Sequence, residues 1–231
     1  MASGDAICDK KLTRAELLAL LAAPPSLANP LVFERCDFDG EDLSRLDLDG
    51  VRFSHCSLAE TSLYAAQLNH SVWIRCRGRE ADFESADLAG ARFDHCDLNN
   101  SSWRRTRLSS AAFGHCKLTG ATFEEVGALG LVFEACLLIG ADLRNMSFRR
   151  MRLEQLDFSD ADLSGCDFRE AVFAGGSLRD AHLKLSRFDG ADLREADLGG
   201  LKLIDSKLFK GAVISSRQAA ELLAELGLRV G

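Results

Sequence analysis

Two kinds of side chain that can do chemistry recur at regular spacing in this chain. Cys36, Cys56, Cys76, Cys96, Cys116 and Cys136 come every twenty residues, and His55, His95 and His115 each sit immediately before one of them. Thiolates and imidazoles together make zinc sites, and thiolates alone do redox chemistry. The spacing argues against both. In an extended chain neighbouring residues point to opposite sides, so an outward histidine leaves the next cysteine facing inward. Thiols stacked in parallel meet with poor disulfide geometry, and in an interior they act as small apolar groups. Glu41 is the one acid at an inward small-residue position, and its place in the first repeats suits partial exposure better than catalysis. No Ser/His/Asp order, phosphate-binding glycine loop or dinucleotide fingerprint is present. The expectation is a protein that is not an enzyme, with no catalytic residues, no cofactor and no metal.

The elements that must hold these residues are repeats. Every fifth residue from Phe33 is a centre (Phe38, Leu43, Leu48, Phe53 and onward to Leu203, Leu208 and Val213), which makes 37 centres in one register. Only Gly78 and Ala128 fail to supply a large apolar side chain. The residue two before each centre is small or moderately apolar, as at Ala81, Ala86, Ala91 and Cys96. Residues two apart share a face of an extended chain, so both positions point inward. A helix needs apolar recurrence near 3.6, which this pattern lacks. A period of five within a period of twenty means four short segments per turn, and hence an all-β solenoid with square sides. About nine coils are expected, roughly 45 Å of rod at about 4.8 Å per coil. The aromatic column Phe33, Phe53, Trp73, Phe93, Phe113 and Phe133 reads as core packing, interrupted by Leu153 and resumed by Phe173.

The ends differ from the repeats. Residues 1–30 read as an N-terminal helix and linker: Thr13 and Glu16 form a capping box, Leu17, Leu18, Leu20 and Leu21 an apolar stripe, and Pro24–Pro25 a stop. This segment is expected to cover the open end of a repeat domain at 31–215. Residues 216–231 read as a C-terminal helix, entered by a second capping box at Ser215 and Gln218 and carrying Leu222, Leu223 and Leu226 on one side. That stripe and the open last coil point to a homodimer joined through this helix. No run approaches a membrane span and no signal-like start occurs, so the expected location is the cytoplasm, with the thiols reduced. The formal charge of -7 opposes direct nucleic-acid binding and suits a basic partner.

Units such as Ala81-Asp82-Phe83-Glu84-Ser85, Ala86-Asp87-Leu88-Ala89-Gly90 and Ala161-Asp162-Leu163-Ser164-Gly165 resemble the A(D/N)LXX unit of pentapeptide-repeat proteins. The resemblance covers about four-fifths of the chain and implies a right-handed quadrilateral β-helix. Within that family, Val126 to Cys136, Gly140 to Arg144 and Met146-Ser147-Phe148 look like the middle of the Qnr quinolone-resistance proteins. Gln218 to Leu228 is similar to the C-terminal helix of Qnr and of the mycobacterial MfpA proteins, and Glu41 to Leu46 looks like an early MfpA segment. This group implies a dimer that binds DNA gyrase or topoisomerase IV, imitates duplex DNA in part, and protects the enzyme from poisons. Qnr proteins carry loops that interrupt the coil, whereas only Arg77 to Glu80 could bulge here, which favours the loop-free MfpA style.

DNA imitation has a requirement in charge. The stretch from Leu31 to Ser215 has 30 acids and 23 bases, whereas duplex DNA carries one charge per roughly 1.7 Å, so imitation must be local. Sorting outward positions by wall puts nine acids against four bases on the wall centred on Phe38, Leu58, Gly78 and their successors. Asp97, Asp157, Asp160, Asp180 and Asp197 on that wall are the expected gyrase-binding acids. Two functions remain open on the residues: a topoisomerase-binding protection protein, and a non-catalytic scaffold that binds an unrelated protein.

Overall fold

The computed structural model describes residues 6–22, 30–201, 206–225 and 227. Pro24, Pro25, Leu203 and Leu226 therefore lie outside the described residues. The chain divides into two compact units, Met1–Val132 and Phe133–Gly231.

The first unit is a parallel coil. Strand β1 (Ile7–Cys8) is followed by helix α1 (Arg14–Leu20) and by three-residue strands twenty residues apart: β2 (Val32–Glu34), β3 (Arg52–Ser54), β4 (Val72–Ile74), β5 (Arg92–Asp94) and β6 (Ala112–Gly114). Each pairs in parallel with the next in strict register, so Phe33 meets Phe53, Phe53 meets Trp73, Trp73 meets Phe93 and Phe93 meets Phe113. The alternation read from the sequence holds: Ala81, Phe83, Ala86 and Leu88 are all buried. Rings stack along the coil at 5.5, 4.3, 5.3 and 4.7 Å from Phe33 to Phe113. A second column, Phe83–Trp103–Phe123, stacks at 4.1 and 5.7 Å and meets the first edge to face. Polar atoms that enter this core are satisfied. Trp103 Nε1 donates to Ser101 Oγ at 2.7 Å, whose hydroxyl donates to the Leu98 carbonyl at 2.7 Å.

Each five-residue unit also ends in a left-handed residue, which the apolar spacing did not reveal. Glycine takes some of these corners (Gly40, Gly50, Gly90), but His55, Glu60, Ser85 and His95 hold positive φ as well. A side chain there costs roughly 1–2 kcal/mol. The compensation is a backbone hydrogen bond to the following coil, from His55 N to the Ile74 carbonyl at 2.8 Å and from Ser85 N to the Arg104 carbonyl at 2.9 Å.

Two expectations need correction in this unit. Arg77 to Glu80 does not bulge: Gly78 is buried and its N–H donates to the Asp97 carbonyl at 2.8 Å. Leu98 occupies the space of the missing side chain, with Cδ2 at 3.1 Å from where a Gly78 Cβ would stand. The N-terminal segment is more than a helix and linker, because β1 pairs with β2 and extends the sheet by one strand before α1 begins. Leu12 and Leu17 are buried behind it, and the Thr13–Glu16 capping box forms, with Thr13 N donating to Glu16 Oε2 at 2.8 Å.

The second unit repeats the pattern with residues of β7 (Val132–Glu134), β8 (Arg152–Glu154) and β9 (Val172–Ala174), then a 3-10 helix (Ser206–Phe209) and helix α2 (Ser216–Glu225). Its ring column is Phe148–Phe168–Phe188–Phe209, at 5.0, 4.8 and 5.0 Å. The last member explains a third correction. The register was expected to run unbroken through Leu208 to Val213, yet Asp192 pairs with Val213, one residue beyond the usual spacing of twenty. Phe209, not Leu208, stacks on Phe188, and Val213 is 47% exposed. A ring seated on a ring retains more contact than a leucine there, and the short rise of the 3-10 turn absorbs the extra residue. Among the described residues the three-residue strands recur over about seven turns, fewer than the nine coils expected.

Candidate functional site

The cysteine ladder is interior. Cys36, Cys56, Cys76, Cys96 and Cys116 are buried, and Cys56 Sγ donates to the Phe33 and Ser54 carbonyls at 3.5 and 3.4 Å. Burial pushes the Cys36 thiol up, and pushes Cys166 in the second unit up to about 12. Cys36 and Cys166, held protonated by burial, are poor nucleophiles and metal ligands. Among the described residues, no three His, Cys, Asp or Glu side chains are gathered to hold a metal ion.

The expected acids do not all share one setting. Asp97, in the first unit, pairs along its ladder with Arg77 on one side and Lys117 on the other, and Arg79 Nε lies 3.5 Å from its carboxylate. Its charge is surrounded by bases. The other four lie together in the second unit. Asp157 and Asp197 share a ladder with Ser177 between them, and Asp160 and Asp180 occupy left-handed corners at φ 57° and 53°. Asp157 Oδ1 accepts from Ser159 N at 3.0 Å and Ser159 Oγ at 2.6 Å. Asp197 accepts from Arg179 Nε at 3.0 Å and from Gly199 N at 2.9 Å. Burial opposes its ionisation, but the Gly199 N–H and the Arg179 guanidinium hold the carboxyl below its ordinary value.

What distinguishes this wall is pairing. Three other aspartates of the second unit are each followed two residues later by an arginine that folds back onto the carboxylate. Arg144 Nε reaches Asp142 at 2.8 Å, Arg169 Nε reaches Asp167 at 2.8 Å and Arg194 Nε reaches Asp192 at 2.9 Å. These guanidiniums hold the Asp142, Asp167 and Asp192 carboxyls below the usual range. Asp157 is followed at that place by Ser159, and among the described residues Asp157, Asp160 and Asp180 have no basic group within ion-pair distance. The wall centred on Phe148, Phe168 and Phe188 is basic by contrast, and there Arg149 and Arg150 converge on Glu170. Aspartate followed two residues later by arginine was a readable sign of a neutralised carboxylate, and the count of acids per wall overlooked it.

Helix α2 is held to the coil end by Gln218. Its Oε1 accepts from Ser215 N at 2.6 Å and its Nε2 donates to the Leu193 and Ala196 carbonyls, both at 2.7 Å. All four hydrogen-bonding positions of this buried amide are filled. Leu222 is 8% exposed and joins Leu193, Leu198, Leu201, Phe209, Ala212 and Ile214 around an apolar cleft of about 270 Å³. Leu222 thus covers the chain's own last coil, whereas Leu223 is 37% exposed. No helix among the described residues is long and apolar enough to cross a membrane.

A family model described as a pentapeptide repeat region matches residues 31–103, 46–123 and 106–183, and one described as eight copies of pentapeptide repeats matches 177–208. No curated protein matches the chain significantly. Among solved structures, a trypsin-treated variant of QnrB1, described as a plasmid-mediated fluoroquinolone resistance protein, matches with 20% identity and a TM-score of 0.54. The match covers 98% of this chain and 97% of that one. Full-length QnrB1 matches with 20% identity over 96% of this chain and 97% of that one, at a TM-score of 0.50. At these identities the likeness is one of fold.

Proposed function

The chain belongs to the pentapeptide-repeat family, and from that premise we propose that it binds DNA gyrase or topoisomerase IV as a partial imitation of DNA. The binding would protect the enzyme from poisons of the fluoroquinolone type. The observation that carries this reading is the set of carboxylates at Asp157, Asp160 and Asp180, which have no ion-pair partner among the described residues, in a unit where Asp142, Asp167 and Asp192 are clamped by arginine. Coils stack at about 4.8 Å, and duplex DNA places one phosphate per roughly 3.4 Å on each strand. Asp160 and Asp180, at equivalent corners one coil apart, set two carboxylates at a spacing of the same order as phosphates along one strand, and a basic groove built for DNA is the partner they fit. The proposed contact is non-catalytic and cytoplasmic. Asp197, tied to Arg179, and Asp97, among bases, contribute less to it.

The test is a gyrase supercoiling assay with and without a fluoroquinolone. Inhibition by micromolar protein, and rescue of activity in the drug's presence, are the expected results. An effect on neither would remove the proposal.

We propose further that the active form is a homodimer joined through the end of the second unit, with Leu223 of α2 and Leu226, which follows the helix in sequence, in the contact and Leu222 supporting them. Ile214 and Val213 add exposed apolar surface beside the helix. A chain ending before Ser216 is expected to fall to half the mass of the full chain in light scattering. Equal masses for the two would exclude α2 as the contact.

A further inference from the structure

The acidic wall leaves the histidines of the first unit without a role. His95 follows β5 and His115 follows β6, both in left-handed corners at φ 54° and 53°. The strict pairing of Asp94 with Gly114 brings the two rings over one another, with centroids 4.7 Å apart and planes 32° from parallel. Asp94 Oδ1 lies 2.9 Å from His95 Nδ1. Gly114 lies opposite that carboxylate, and even a Cβ there would stand in ordinary contact, 3.6 Å from Asp94 Oδ1.

We propose that His95 and His115 form an open two-imidazole clamp for a divalent transition metal of the imidazole-seeking kind: copper, nickel or zinc. A carboxylate that accepts the Nδ1 proton of histidine fixes the tautomer, turns the Nε2 lone pair outward and makes it a better donor. This is the arrangement that supports histidine ligands in metal proteins. A metal with Zn–N bonds of about 2.0–2.1 Å needs its two nitrogens about 3 Å apart. The ring centroids stand 4.7 Å apart, wider than that spacing. Both sit on exposed corners, where rotation about the side-chain bonds closes the gap. Solvent fills the remaining positions, which leaves room for a donor from a second molecule.

Two features set the limits of the clamp. Arg75 holds the equivalent corner one coil earlier, with its N–H on the Asp94 carbonyl at 2.9 Å, and its charge weakens cation binding. The neighbouring thiols cannot contribute, because Cys96 and Cys116 are buried and donate to carbonyls. Two nitrogens without sulfur favour copper over nickel and zinc at equal supply.

The test is calorimetric titration of the full chain with nickel chloride, comparing wild type with His95→Asn, His115→Asn, the double variant carrying both, Asp94→Asn and the control His55→Asn. Asparagine tolerates the left-handed corner, so the variants are expected to keep their unfolding temperature without metal. Wild type and His55→Asn are expected to bind one nickel tightly, each clamp variant to bind at least tenfold more weakly, and Asp94→Asn to lie between. Nickel is also expected to raise the unfolding temperature of wild type and not of the double variant at 95 and 115. Equal affinity in wild type and the double variant, or loss only on changing His55, would overturn the clamp and leave a pair of stacked corner imidazoles.

Discussion

Gly176→Ala is expected to destabilise the chain by about 3 kcal/mol or more, at the severe end for a single substitution. The residue holds φ +84°, and a Cβ on it would stand 2.1 Å from the Leu156 carbonyl oxygen, 2.8 Å from its nitrogen and 2.9 Å from its carbonyl carbon. Every one of these atoms is backbone in the preceding coil, so no rotamer change relieves the overlap. The coil must open or the strand pairing from Ser177 to Asp157 must shift. Two neighbours isolate the cause. Gly175 has a similar φ of +81°, but its Cβ would meet only the Gln155 side chain, which can swing away. Gly40 has φ +72° and nothing within 4 Å, so Gly40→Ala measures the conformational cost alone, about 1 kcal/mol. Denaturant unfolding of the three variants is expected to rank them with Gly176→Ala far below the others. If it matched Gly40→Ala, the close approach would carry no energetic weight.

Reversing the unpaired wall is expected to have the largest functional effect. In the chain with Asp157, Asp160 and Asp180 all changed to Lys, the concentration needed to inhibit supercoiling should rise at least tenfold. Exposed charge contacts contribute about 0.2–1 kcal/mol each, reversal replaces attraction with repulsion, and 1.4 kcal/mol is a factor of ten. The loss should shrink as salt screens the wall. Asp192→Lys is the matched control, because that carboxylate lies on another wall and is already bound to Arg194. A folded triple variant that inhibits as well as the control would separate the acidic wall from the activity and leave the coil as a scaffold for some other partner.

Periodicity was enough for most of the fold. Side-chain direction alternates with every peptide, so a large residue at each fifth place and a small one two before it specify which atoms turn inward, whatever the distant chain does. The two capping boxes were legible for the same reason, since Thr13 with Glu16 and Ser215 with Gln218 act within three residues. The positive φ at each corner escaped notice because histidine, glutamate and serine share those corners with glycine.

The remaining features depend on residues about twenty apart in the chain. By spacing Gly176 is one more small residue at an inward position, and only the Leu156 carbonyl of the coil before it shows why a side chain does not fit there. The register through Val213 was consistent with the spacing, yet Phe209 found Phe188 and moved it by one residue. Asp197 counted as one acid among five, but the turn of the coil set Arg179 against it. Composition and local period therefore decide what faces in and what faces out. Which outward charges survive, and whether two imidazoles meet, depends on the chain one coil away, because stacking at about 4.8 Å joins residues that no local rule relates.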